Sequence, residues 1–279
     1  MKKIFLMLVF AGVVLNCAAQ KISETKSEIK TGTDATQPFL FSLNTLTAEN
    51  PRWNIHYSGS YGERTNGQFG YDGLGQQFGV KGYLGSRFTL YATAAIGFAN
   101  SGGVTSAQQA EVIRDLVGGN GISGFRLGAG LGLSRDWSSI GAAISRITAS
   151  FDQSNWRMAG NLRFEKAFDK TRDKLDFISS FGYQHRVSNV LYIGFEALGQ
   201  DLEGFWEKDE AEGGAKLMVG PSINLEPNHS KLSFSISGGP VFYATRSNVI
   251  PSEAIREIGS VASGNGYTIR ALVNFNLHR

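Results

Sequence analysis

YTIRALVNFNLHR (267–279) alternates without a break. Tyr267, Ile269, Ala271, Val273, Phe275 and Leu277 share one face, and Thr268, Arg270, Leu272, Asn274, Asn276 and His278 share the other. A period of two places successive side chains on opposite sides of a β-strand. One side here is apolar from end to end, while the other carries an arginine, two asparagines and a histidine. At the edge of an open sheet such a strand would invite pairing with other chains. The rest of the sequence must therefore supply a partner.

Working back from that strand, the same alternation recurs. Trp53, Ile55, Tyr57, Gly59 and Tyr61 share a face, as do Phe88, Leu90, Ala92, Ala94, Ile96 and Phe98. Further runs follow through Phe125–Leu133, Trp156–Phe164, Leu175–Tyr183, Leu191–Ala197, Leu217–Ile223 and Leu232–Phe242. Shorter, poorer candidates lie at 78–84 and 140–151. Segments of ten or more residues are long for a sandwich, whose strands average about five or six. They match a tilted membrane strand, which needs about nine to eleven. Aromatics gather near strand ends, at Trp53, Tyr61, Phe88, Phe98, Trp156, Phe164, Tyr267 and Phe275. Interfacial girdles have that placement. In a soluble barrel or sandwich the second face would be rich in lysine and glutamate. Here glycine, serine, asparagine and arginine dominate it, which suits an enclosed lumen.

Composition narrows the setting. Lys2 and Lys3, an apolar run at 4–15 and Cys17-Ala18-Ala19 have the order of a secretory signal, too short to span a bilayer as a helix. Cleavage is expected after Ala19, with lipid attachment at Cys17 as the alternative. Removing residues 1–19 leaves 25 basic against 24 acidic residues and no cysteine. That balance gives no basis for nucleic-acid binding, and the mature chain has no disulfide or thiol chemistry. Glycine accounts for 35 of 279 residues, nearly double the usual share of about 7%. The mean hydropathy of −0.14 looks soluble, but a membrane barrel has the same value because half of each strand faces a polar interior.

Through its signal, its alternating strands and its final strand, the chain resembles the outer-membrane β-barrel proteins of diderm bacteria. It closes on Phe275-Asn276-Leu277-His278-Arg279, where members of that class end on an aromatic residue. The resemblance covers residues 51–279 and is one of architecture. It implies an all-β, transmembrane, antiparallel up-and-down barrel in the outer membrane. Outer-membrane lipid, lipopolysaccharide and the barrel-insertion machinery are its implied partners. Closure answers the opening question, since the last strand pairs with the first and no edge remains. Nine good strands, two poorer ones and a short strand at 67–73 make about twelve, and omitting 140–151 makes about ten. Single-chain bacterial barrels have even counts. The organisation expected is a signal at 1–19, a flexible lead-in at 20–50 and the barrel at 51–279. Within the lead-in, PFLFSLNTL (38–46) is apolar enough to dock.

Several motifs bear on chemistry. GAGLGL (128–133) lacks the third glycine and the helix of a dinucleotide fingerprint. Gly128, Gly130 and Gly132, with Gly124 and Arg126, instead form a stripe of small side chains beside which something could lie. Residues 105–117, through Ala110, Ile113, Leu116 and Val117, read as a short amphipathic helix, either filling the lumen or sitting at the barrel mouth. His56 and Ser58 resemble the histidine–serine pair of outer-membrane lipid hydrolases. Their phase puts them in the lumen, and no orienting acid can be assigned to them. An acidic loop carries Asp201, Glu203, Glu207, Asp209, Glu210 and Glu212. It could gather a cation but fits no EF-hand spacing. Strand phase turns Arg126, Arg157, Arg163, Glu165, Asp176, Glu196, Lys216 and Arg270 inward, as an internal network or a mildly anion-preferring passage. No cofactor is implied.

The function expected is a non-enzymatic outer-membrane barrel with narrow, porin-like solute passage or a structural surface role. The alternatives are a lipid-modifying hydrolase of the deacylase or phospholipase kind and a soluble periplasmic ligand-binding β-domain.

Overall fold

The computed structural model describes residues 36–99, 102–118, 121–168, 175–206, 215–228, 230–244 and 264–277. The signal segment, with Cys17, lies outside the described residues. Twelve antiparallel strands form one closed barrel: β1 (Trp53–Glu63), β2 (Gly73–Gly85), β3 (Phe88–Ala99), β4 (Val104–Val117), β5 (Gly124–Arg135), β6 (Gly141–Asp152), β7 (Trp156–Ala167), β8 (Asp176–Arg186), β9 (Leu191–Gln200), β10 (Ala215–Leu225), β11 (Leu232–Ala244) and β12 (Gly266–Asn276). Each strand pairs with its sequence neighbours, and β12 closes on β1 from Asn54–Asn276 to Glu63–Tyr267.

Burial is inverted relative to a water-soluble fold. Outward positions hold Leu74, Phe78, Ile96, Leu131, Leu133, Phe195, Ile236 and Phe275, all exposed, with Leu131 at 71%. Inward positions hold Asn54, His56, Lys81, Arg157, Gln184, Glu196 and Asn274, all at most 1% exposed. An exposed apolar belt around a buried polar interior is what a bilayer solvent selects. Aromatic pairs mark both ends of the belt. Phe151 stacks on Trp156 at 4.9 Å at one end, and Phe164 meets Phe177 at 5.0 Å at the other.

The two ends differ in their connections. One end has tight turns: Ser86 and Arg87 (φ 48° and 67°) join β2 to β3 as a two-residue hairpin, and 153–155 join β6 to β7. Both Trp53 and Asn276 lie at this short-turn end. The opposite end carries the longer loops, including short 3₁₀ turns at Gly67–Phe69 and Leu202–Phe205.

Two local expectations are corrected. Residues 105–117 are not a helix but most of β4, with Thr105, Glu111 and Asp115 inward and Val104, Val112 and Leu116 outward. The helical spacing arose because Ile113 is an apolar residue on the lumen face and because the pairing register shifts between Asp115 and Val117. Residues 67–73 hold a 3₁₀ turn rather than a strand, so the twelfth strand is β4. The weakly patterned segments 78–84 and 140–151 both belong to full strands, β2 and β6. The glycine stripe on β5 makes room for the neighbouring strand. A Cβ at Gly130 would meet Ile113, and one at Gly132 would meet Glu111.

Candidate functional site

Residues 36–47 run inside the lumen, and all but Phe41 are buried. Their contacts trace a loop that enters and leaves by the short-turn end. Thr36 accepts a 2.7 Å hydrogen bond from Asn274 Nδ2 and donates to Asn276 Oδ1 at 3.3 Å, near the end of β12. Halfway up the barrel, the Leu40 and Phe41 amides both donate to Glu196 Oε2, at 2.9 and 2.7 Å. Asn161 on β7 accepts from Leu43 N at 2.6 Å and donates to Leu43 O at 2.7 Å, as a paired strand would. The segment then descends. Thr45 donates to Asp115 Oδ1 at 2.6 Å, and Leu46 N donates to Thr89 Oγ1 at 2.9 Å, close to the β2–β3 turn.

Two fully buried wall charges brace this plug. The Lys81 ammonium donates to Thr36 O, Gln37 Oε1 and Asn44 Oδ1 at 2.7, 2.9 and 2.7 Å, which uses all three of its N–H groups. Glu196 also accepts from Ser222 Oγ at 2.8 Å. A buried charge left without partners would be costly, and here plug backbone and amide groups supply them. Apolar anchors are few. The Phe39 ring lies over Gly182, where a Cβ would collide with it, and Phe41 sits under the Arg270 guanidinium at 4.6 Å.

Above the plug the lumen divides. On the β8–β11 side, Phe69 from the β1–β2 loop folds inward onto Ile178, Leu198, Met218 and Val241, with Phe41 beside them. On the other side a cavity of about 140 Å3 opens toward the long loops. Residues 40–43 form its floor, and Tyr91, Arg146, Arg163 and Arg270 are among its walls.

Each inward charge read from the strands has a defined place. Arg126 pairs with Asp152 at 2.9 Å. Arg157 donates to Gln184, Asn224 and Glu226 at 2.8, 2.7 and 2.5 Å, and it caps the Tyr192 ring. Arg163 pairs with Glu165 and approaches Glu111 at 3.5 Å. Asp176 is buried at the long-loop end of β8, and Lys216 donates to Asn66. Arg270 donates to Leu40 O and Gln68 O, both at 3.3 Å. Reading the strands missed Lys81, Glu111, Asp115, Arg146 and Asp152. Lys81 and Arg146 sit in the two strands with poor alternation, and Glu111 and Asp115 were hidden by the helical reading of β4. The available signal for Lys81 was its position between outward Val80 and Gly82.

His56 and Ser58 are both buried in the lumen. The His56 ring stacks on Tyr91 at 5.6 Å, and neither of its ring nitrogens meets a protein partner. No hydrogen bond joins it to Ser58 or to a carboxylate among the described residues. Of the acidic loop, Asp201 and Glu203 are described, while Glu207, Asp209, Glu210 and Glu212 lie outside the described residues. Asp201 adopts a left-handed backbone conformation (φ 45°) and its Oδ1 accepts from Phe177 N at 3.1 Å. Partial burial, helped by the charges of Asp176 and Glu203, pushes its carboxyl up to about 7. Its folded value is above the ordinary 3.8, so folding favours the protonated form. The stabilisation is complete below about pH 4 and is lost as pH rises through 7. Amide exchange at Gly204, which donates to Asp201 O, should therefore quicken between pH 6 and 8 beyond its intrinsic rise, and Asp201→Asn should remove that excess.

No protein-family profile matches the chain, and no curated protein does. Solved structures do. The NanC porin superposes with a TM-score of 0.56 at 8% identity, covering 80% of this chain and 100% of that one. An outer membrane channel from Pseudomonas putida F1 gives 0.52 at 11% identity, covering 86% and 100%. The KdgM porin gives 0.50 at 12% identity, covering 81% and 99%. The fold is therefore that of the outer-membrane β-barrel proteins. At these identities the likeness establishes architecture alone.

Proposed function

We propose that this protein is a non-enzymatic outer-membrane channel for small polar solutes, with a lumen closed at rest by residues 36–47. The observation that carries the reading is the way this plug is held. Its backbone is bound by wall side chains (Lys81, Asn161, Glu196) through groups that water could equally satisfy. A hydrogen bond exchanged with water contributes only about 0.5–1.5 kcal/mol when neutral and about 1.5–3 kcal/mol when one partner is charged, whereas ordering a backbone residue costs about 1–2 kcal/mol for each of the plug's residues. A segment balanced in this way can leave a hydrated lumen without breaking the barrel.

The polar wall and the likeness in fold to porins support passage. The unassembled surroundings of His56 and Ser58 argue against the lipid-hydrolase alternative, since no base, nucleophile and acid converge there. The apolar outer belt argues against a soluble periplasmic domain.

A reversible lock tests the reading. Ser42 Oγ lies 3.1 Å from Ser180 Oγ, so the plug apex and β8 are close enough for a disulfide. The double variant Ser42→Cys/Ser180→Cys, with its signal removed, has no other cysteine. Proteoliposomes carrying the reduced form should admit small polar solutes. Oxidation should stop the flux, and dithiothreitol should restore it. Flux that ignores the redox state of an established crosslink would sink the plugged-channel reading.

A further inference from the structure

The cavity above the plug has the features of a binding site, and its charges are unequally satisfied. Four guanidiniums line it, Arg135 at the end of β5, Arg146 from β6, Arg163 from β7 and Arg270 from β12, which is diametrically opposite β6 in the ring of strands, and the carboxylates in its lining are Asp136 and Glu165. Every nitrogen of Arg146 is engaged: Nε and Nη2 donate to the two oxygens of Glu111 at 2.8 and 2.7 Å, and Nη1 donates to Asn161 at 3.1 Å. Arg163 differs. It is 3% exposed and its terminal nitrogens are engaged, but its Nε has no partner. Arg270 has no carboxylate within ion-pair range among the described residues. Its two donations, to Leu40 O and Gln68 O, are long at 3.3 Å and go to neutral carbonyls.

Arg163 is ion-paired yet keeps an unpartnered N–H, and Arg270 has only two carbonyls and the Phe41 ring for partners, so the wall carries more positive charge than its carboxylates offset and favours an anion. A planar carboxylate matches that fork geometry better than a spherical ion does. Size narrows the class. An apolar cavity of about 150 Å3 holds a benzene-sized molecule, and this one is about 140 Å3 and open at its outer end. The glutamine and tyrosine side chains around it, Gln68, Gln109 and Tyr91, favour a polar body over an apolar one.

We infer that this vestibule is a binding site for small polar carboxylates, seated on Arg163 and Arg270 with the plug as its floor. The inference names the solute class for the channel proposed above and rests on that reading. Arg270 also ties the site to the plug. A carboxylate that draws its guanidinium away from Leu40 O loosens the plug apex, so occupancy would favour opening.

The test is calorimetric titration of the full chain in detergent, with succinate as the anion and succinamide as its neutral isostere. Succinate should bind saturably and succinamide should not. Arg163→Gln and Arg270→Gln each remove a charge-assisted bond to the carboxylate, so each should weaken succinate at least about tenfold. Arg270→Lys should recover part of the loss. Heat-modifiable gel mobility shows that each variant is folded. The hydrogen bonds and ion pairs of Arg163 go to Gln109, Glu111 and Glu165 rather than to the plug, so its variant reads the site apart from the Arg270–Leu40 bond. Running the titration also on the oxidised Ser42→Cys/Ser180→Cys variant separates the two proposals: saturable succinate binding should persist with the plug locked, weakened only by the coupling to opening, even if no flux is ever seen. Equal binding of succinamide, no saturable heat up to about 10 mM, or unchanged affinity in both glutamine variants would each overturn the assignment.

Discussion

Deleting residues 36–47 is expected to turn a barrel that opens only in rare, brief events into a steadily conducting one in a planar bilayer. The wall does not depend on this segment. Closure is made by β1 and β12, and the lumen side chains that hold the plug become hydrated when it is gone. The effect should be graded by anchor. Glu196→Ala leaves the Leu40 and Phe41 amides without their acceptor in the closed state only. An unmade bond to a charged group costs about 1.5–3 kcal/mol. At 1.4 kcal/mol per decade this raises the open fraction about tenfold to a hundredfold. Lys81→Met should act similarly, since all three of its hydrogen bonds go to the plug. Single-channel recording separates these outcomes, because the anchor variants should raise open probability without changing the unit current. The plug deletion should abolish closures. If the deleted protein inserts and stays silent, something other than residues 36–47 closes the lumen.

Removal of residues 267–277 should have the largest effect on assembly. β12 is paired on both sides, to β1 from Asn54 to Glu63 and to β11 from Leu232 to Val241. Without it, two rows of backbone N–H and C=O groups would face hydrocarbon, where each unsatisfied group costs several kcal/mol. A ladder of that length cannot be offset by side-chain packing, so no partly closed barrel should accumulate in the bilayer. The truncated chain should show no heat-modifiable mobility and no membrane protection from protease. In the full-length protein, cysteines at Tyr57 and Val273, which face each other across the closing pair, should crosslink without reductant. Folded, protected truncated protein would contradict closure through β12.

Much of the barrel was legible in the residues because its solvent is two-sided. Strands such as Phe88–Ala99 and Gly266–Asn276 meet hydrocarbon on one face and an enclosed aqueous space on the other, so their alternation is strong. β4 and β6 were harder. Ile113 on β4 is apolar on the polar side, and Ala142 and Ile144 on β6 are likewise buried inward. Inside a filled lumen the inward face is not bound to be polar, and there the periodicity fades. The inward charges Arg126, Arg157, Glu196 and Arg270 followed from strand phase alone, because a one-residue error would have put them in lipid.

The sequence by itself determined the strand period, the inward and outward faces and the need for a closing partner, all of which are local consequences of backbone geometry and solvent. The tertiary structure alone decided what fills the lumen. Segment 38–46 carries an apolar signal but no period that names its place. Its position depends on Lys81, Asn161 and Glu196, which lie between 37 and 156 residues away along the chain and converge only when the barrel closes. The same holds for the vestibule. Whether every nitrogen of an arginine is engaged, as in Arg146, or one is left without a partner, as in Arg163, depends on which side chains the register sets beside it. That is a property of strand stagger around the ring, which no single strand encodes.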